Sequence, residues 1–137
     1  ELRLQLKREE SLIVLHELEP LWYGEIHNIA FTGTDNQVET INLIKDTNKV
    51  RFIFQGYSDD SWKLNVEDYD YEIIESNGHL GHDNSLLDDD VLSFRPYHME
   101  QRNPSAAAVE LNTMRLMSDR QTRFVVTEKI QGKRCLT

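Results

Sequence analysis

The sequence predicts an α+β fold: an antiparallel β-sheet flanked by an N-terminal, coiled-coil-like helix and a C-terminal helix. Three observations carry that reading. Val50, Phe52 and Phe54 alternate with Arg51, Ile53 and Gln55, and the alternation resumes at Trp62, Leu64 and Val66. A period of two puts alternate side chains on one face of a strand. Residues 1–19 are rich in Leu, Glu, Lys and Arg and stop at Pro20, good helix formers followed by a helix breaker. Asn103-Pro104 ahead of residues 106–117 has the form of an N-cap with proline at the first helical position.

The first helix is expected to be an assembly element. Leu4, Leu15 and Leu18 fit a heptad seam, although Arg8 and Ser11 hold its other positions. Leu12, Leu15 and Leu18 lie on neighbouring turns, and an isolated helix of this length is marginal in water. It is therefore expected to pair with a protein partner, in a homo- or heterodimer. Residues 2–7 also alternate in the manner of a strand. The chain starts at Glu1 and reads as a piece of something longer, with the helix as the end of a coiled coil.

The globular part is expected over residues 20–130, with a polar tail at 131–137. Residues 21–31 carry aromatics that favour a strand, a turn cluster spans 32–36, and 38–44 is a second strand candidate. Asp46-Thr47-Asn48 turns the chain into a central hairpin. Its loop is Gly56-Tyr57-Ser58-Asp59-Asp60, and its inner face carries Val50, Phe52, Phe54, Trp62, Leu64 and Val66. Residues 67–75 continue as a strand, with Tyr69, Tyr71 and Ile73 in alternation. Asn77-Gly78 signals a turn, and residues 77–90 read as a mobile acidic loop. A short strand at 91–94 precedes Pro96. Residues 123–127 suit either a strand or a second helical piece capped near Ser118.

The net charge is −9, unevenly spread. Residues 59–90 hold eleven acids and one base, whereas the stretch from Arg115 onward carries six bases and two acids. The acidic face argues against general nucleic-acid binding, which needs phosphate-neutralising bases. No apolar run approaches the roughly 20 residues of a membrane span, and no signal-peptide pattern is present. A single cysteine, Cys135, excludes an internal disulfide and suggests a reducing intracellular compartment, nucleus or cytoplasm.

Candidate chemistry is sparse. His79 and His82 stand three residues apart, with Asp83 and His98 as further ligand types, and zinc accepts such donors. The spacing includes no second pair, so a solvated loop is the competing reading and a metal-dependent enzyme at His79, His82 and Asp83 a minor alternative. Asp68-Tyr69-Asp70 lacks the glycine and closing glutamate of a calcium loop. Ser85 and Ser93 have no nucleophile-elbow context, and there is no phosphate-binding glycine loop. The expectation is a non-catalytic binding module without a cofactor. Trp22, Tyr23, Tyr57 and Trp62 are the aromatic set. They could surround a methylated ammonium by cation–π attraction, or the tryptophans could be core and the tyrosines rim. Partner contacts are expected at Leu12, Leu15, Leu18, Trp22, Tyr23 and Tyr57.

Two resemblances bear on function. KVRFIFQGY and WKLNVEDYDYEIIESNGHL, with the order helix, strands, helix, look like the RWD-type globular heads of coiled-coil kinetochore subunits. That implies a protein-binding head on a dimerising helix in chromosome segregation. Trp22-Tyr23-Gly24-Glu25-Ile26 followed by VRFIFQGYSDDSW resembles Tudor and chromo-barrel readers, which implies recognition of methylated lysine or arginine on histones or other proteins.

Overall fold

The computed structural model describes residues 3–9, 11–33, 36–56, 64–120, 122–129 and 134–136. Among the described residues twelve strands follow one another: β1 (Arg3–Gln5), β2 (Ile13–Val14), β3 (Trp22–Tyr23), β4 (Ile44–Lys45), β5 (Thr47–Gln55), β6 (Tyr69–Glu75), β7 (His79–Gly81), β8 (Leu92–Phe94), β9 (His98–Asn103), β10 (Ala106–Met114), β11 (Arg123–Glu128) and β12 (Arg134–Leu136). The only helical piece among the described residues is a 3₁₀ turn, Val66–Asp68. None of the described helical structure is long and apolar enough to cross a membrane.

A three-stranded sheet, β5–β10–β9, packs on a five-stranded sheet, β12–β11–β6–β8–β2. Two short pairs, β1–β7 and β3–β4, lie beside them. Among the described strands, β2 pairs parallel with β8 and the other pairings are antiparallel. The alternation in β5 does what its period requires: Val50, Phe52 and Phe54 turn inward while Arg51, Ile53 and Gln55 face out. Phe52 stacks on Phe124 of β11 at 3.8 Å between centroids, and Phe54 meets Tyr71 of β6 at 5.4 Å. Leu92 and Phe94 of β8 and Val109 and Leu111 of β10 complete a core with no solvent exposure.

The central hairpin is corrected. β5 pairs with β10, more than fifty residues further along the chain, and not with the stretch after Tyr57. β6 pairs with β11 and β8, and Trp62 lies outside the described residues. The strand alternatives hold at β6, β8 and β11.

Both helices are corrected too, and with them the helix–sheet–helix order of an RWD-type head and the helix-mediated dimer. In the N-terminal stretch, Leu12 takes a left-handed backbone, φ 63°, which excludes an α-helix through that point. The β-branched pair Ile13-Val14 lies parallel to Ser93-Phe94 instead, and the Leu18 side chain enters the core. The C-terminal stretch forms β10, the middle strand of its sheet. Ala106, Ala107, Ala108 and Val109 are all buried, so this strand is covered on both faces. Burial on both faces overrides alanine's helix preference. Asn103 still caps, but it caps a turn: its Oδ1 accepts from the Ser105 amide at 2.9 Å and from the Ser105 hydroxyl at 3.1 Å, tightening the β9–β10 hairpin. The small-barrel reading fails in the same way, because Trp22-Tyr23 pairs with Ile44-Lys45 and the VRFIF strand pairs with β10.

The acidic loop is pinned, not free. Asn77 is fully buried and donates to the carbonyls of Met114 and Arg115, both at 3.1 Å. A Cβ on Gly78 would lie 2.7 Å from Leu92 and 2.8 Å from the Asp89 carboxylate, a fit that only glycine allows. Arg8 grips Asp89 bidentately, Nη1 to Oδ1 at 2.7 Å and Nη2 to Oδ2 at 2.9 Å. Burial pushes the Asp89 carboxyl up, but the Arg8 guanidinium and neighbouring donors outweigh it and hold the group below the usual carboxylate range. A carboxylate with a lowered folded value stabilises the fold fully above its unfolded value, about 3.9, and loses that contribution as pH falls through the folded value. Asp89→Asn is therefore expected to lower the melting temperature at neutral pH. Its deficit against the native chain should shrink once the pH drops below about 4. A deficit unchanged between neutral and acid pH would show that the ion pair is not its source.

Candidate functional site

Four pieces of chain converge on a cleft of about 320 Å³: Arg3 and Leu4 of β1, Leu21 with Trp22 and Tyr23 of β3, Asp46, and the segment from Leu80 to Asn84 that includes the end of β7. The register explains the meeting. Arg3 pairs with Gly81 and Leu4 with Leu80, while Trp22 pairs with Lys45 and Tyr23 with Ile44. The Leu21 carbonyl accepts from the Asp46 amide at 2.8 Å, and its amide donates to the Thr47 hydroxyl at 3.2 Å.

A buried polar knot supports the cleft. The Asp46 side chain is 2% exposed and lies 3.5 Å from Arg115 Nη1. Asp46 Oδ1 also accepts from the Asn84 amide at 3.0 Å. Arg115 Nη2 donates to the Asn84 carbonyl at 2.9 Å, and the Arg115 amide to the Asp46 carbonyl at 2.6 Å. Asn84 is left-handed, φ 67°, a conformation asparagine tolerates better than most residues. One short loop beside the cleft is thereby tied to two distant strand ends.

Trp22 is 52% exposed at the rim. The Lys45 ammonium lies 5.7 Å from its ring centroid. The Tyr23 hydroxyl donates to Glu25, whose other oxygen meets His27 Nε2 at 2.6 Å. That bond to Glu25, with smaller contributions from desolvation and nearby carboxylates, pushes the Tyr23 hydroxyl up to about 12, so it stays protonated at neutral pH. The Tyr23 and His27 bonds hold the Glu25 carboxyl low. The rim presents an aromatic plane beside an ammonium, an imidazole and amides.

The predicted site residues separate. Trp22 and Tyr23 come together at the cleft and His82 joins them. Leu12 is half-buried, Leu15 is exposed, and Leu18 is a core residue whose amide donates to Asn112 Oδ1 at 2.9 Å. Tyr57 lies outside the described residues. His79 Nδ1 faces the Asp88 carbonyl at 3.0 Å, Asp83 accepts from Ser85, and His98 is on β9. Among the described residues no group of three His, Cys, Asp or Glu side chains is placed to hold a metal. The Ser85 hydroxyl donates to Asp83 and the Ser93 hydroxyl to Glu72, so neither has a histidine base. An aromatic cage would need rings around an incoming cation, but here Lys45 supplies the cation to Trp22 from within the chain. Asp46, Asn84 and Arg115 had no local signal, because their burial comes from contacts 31 to 69 residues apart in sequence.

The whole chain, residues 1–137, matches the family model of fimbrillin-A associated anchor proteins Mfa1 and Mfa2. Among solved structures it is similar to a candidate polysaccharide-binding protein from Bacteroides thetaiotaomicron, with 67% identity and a TM-score of 0.86, covering 96% of this chain and 46% of that one. It is also similar to a candidate adhesin from Bacteroides ovatus, with 24% identity and a TM-score of 0.79 over 96% of this chain and 44% of that one. The fimbrial anchor protein Mfa2 from Porphyromonas gingivalis shares 23% identity and a TM-score of 0.70, over 95% of this chain and 46% of that one. These last two likenesses are of fold. The chain spans less than half the length of each of these relatives. No curated protein matches the chain.

Proposed function

This chain belongs to the family of fimbrillin-A associated anchor proteins Mfa1 and Mfa2, and from that premise we propose that it is a non-catalytic saccharide-binding module of a bacterial surface protein, with the Trp22 cleft as its site. Family membership overturns the kinetochore and histone-reader readings and the nuclear or cytoplasmic setting, since fimbrial anchors and adhesins belong to the bacterial cell envelope. Association with another fimbrial protein fits the family as well, though not through an N-terminal helix.

The observation that carries the saccharide reading is Trp22, half exposed at the mouth of a concave, mainly apolar cleft with polar groups on its rim. A sugar ring has an apolar face of C–H groups and an edge of hydroxyls. An exposed indole takes the face, and fixed donors and acceptors take the edge. Lys45 and His82 can serve the hydroxyls without a change of fold. The 67%-identical relative is a candidate polysaccharide-binding protein, which agrees with this chemistry.

The test is titration calorimetry with polysaccharides from Bacteroides cell surfaces. Trp22→Ala is expected to weaken binding at least roughly tenfold, the loss of about 1.4 kcal/mol, with an unchanged circular dichroism spectrum. Equal affinity in the variant, or no saccharide bound by the native chain, overturns the assignment.

A further inference from the structure

Beyond the cleft, the chain carries an apolar surface that its own core does not use. Between β3 and β4, residues 24–33 and 36–43 run without regular structure. Phe31 is 93% exposed and Val38 is 90% exposed, and Ile29, Ile41 and Leu43 are each about half exposed. The two legs of this arm hold one another. The Gln37 side chain donates to the Ala30 carbonyl at 2.7 Å and accepts from the Thr32 amide at 3.3 Å. Gly24 lies so close to the other leg that a Cβ would stand 2.6 Å from Leu43 and 2.7 Å from Ile41. The arm's two legs are thus held together while Phe31 and Val38 stay almost fully exposed among the described residues.

We propose that the arm is an intramolecular docking strip: in a polypeptide of the relatives' length, it packs on the region lying outside the matched half. The solved relatives carry more than half of their length outside the match, so each has such a region in its own chain. The arm's chemistry fits an apolar occupant. Residues 28–44 contain only two charged side chains, Asp35 and Glu39, in a chain that is 28% charged. Its size fits a tethered occupant. A free complex of standard size uses about 20–30 residues a side, more than the arm provides. Contacts between domains of one chain run from roughly 600 Å², and covalent linkage raises the effective concentration of the partner surface. A lipid surface is disfavoured by the net charge of −9, which anionic headgroups repel. The inference stands whether or not the Trp22 cleft binds a saccharide.

Hydrogen exchange tests it on two polypeptides, the 137 residues alone and the same residues within a chain of the relatives' full length. Amides of 29–33 and 36–43 are expected to exchange at least roughly tenfold more slowly in the longer chain, and Phe31→Asp with Val38→Asp should abolish that protection. The same double variant should leave the melting temperature of the 137-residue chain unchanged. Equal exchange in the two polypeptides overturns the proposal. So does self-association of the short chain, or its binding to anionic phosphatidylglycerol vesicles, when the double variant removes it, because the occupant is then a second copy or a membrane.

Discussion

Phe94→Ala is expected to destabilise the domain by about 3–5 kcal/mol, the usual cost of emptying a buried phenylalanine site. Phe94 has no solvent exposure. It sits in β8, with β6 on one side and β2 on the other, opposite Ile73 and Val14. Hydrogen-bonded neighbours on both sides keep the backbone from collapsing into the void, so most of the cavity should persist. For a chain of this length the melting midpoint should fall by on the order of 10–15 °C. Phe31→Ala is the matching control, because the same side chain is removed from a site that is 93% exposed. It should shift the midpoint of the 137-residue chain hardly at all. Thermal melts of the two variants that moved together would show that the core boundary is misplaced.

Asp46→Ala is expected to cost about 2–4 kcal/mol, slightly below the figure for breaking a fully buried ion pair. The discount reflects Arg115, whose side chain is 26% exposed and can still reach water. Loss of the carboxylate leaves the guanidinium without its counter-charge and the Asn84 amide without its acceptor. The loop carrying Asn84 should then loosen, and the cleft with it. Asp46→Ala combined with Arg115→Met should regain part of the loss, since an apolar replacement of both partners removes the stranded charge. Urea denaturation of the single and double variants decides this. A double variant no more stable than the single would mean that the two charges are not coupled.

Several strands were legible because their signal is local. Tyr69, Tyr71 and Ile73 alternate, and they line one side of β6. Leu92 and Phe94 flank Ser93 in the same way in β8. The two helices were misread because their evidence was propensity and capping, which are weak against tertiary packing. Alanines at 106–108 and Asn103-Pro104 suit a helix start in isolation, and inside the sandwich they suit a middle strand and its turn. The aromatic pair Trp22-Tyr23 was visible in the sequence, but whether the indole is core or rim was not; the structure leaves Trp22 half exposed. The groups at Asp46, Asn84 and Arg115 carried no sequence signal, because contacts distant in sequence bring them together.

By itself the sequence determined which residues of β5 face inward and the alternation of Tyr69, Tyr71 and Ile73 in β6, since the pleat's period of two is a property of the local backbone. Composition determined that no disulfide closes the chain internally. Only the tertiary structure decided which strand each face meets. β5 finds β10, and β2 finds β8, because those pairings let two sheets bury their apolar faces together, a gain that no short window contains. The same long-range packing made a strand of an alanine-rich stretch and buried Asp46 and Asp89 beside arginines far away in sequence. It also left Phe31 and Val38 exposed at the arm.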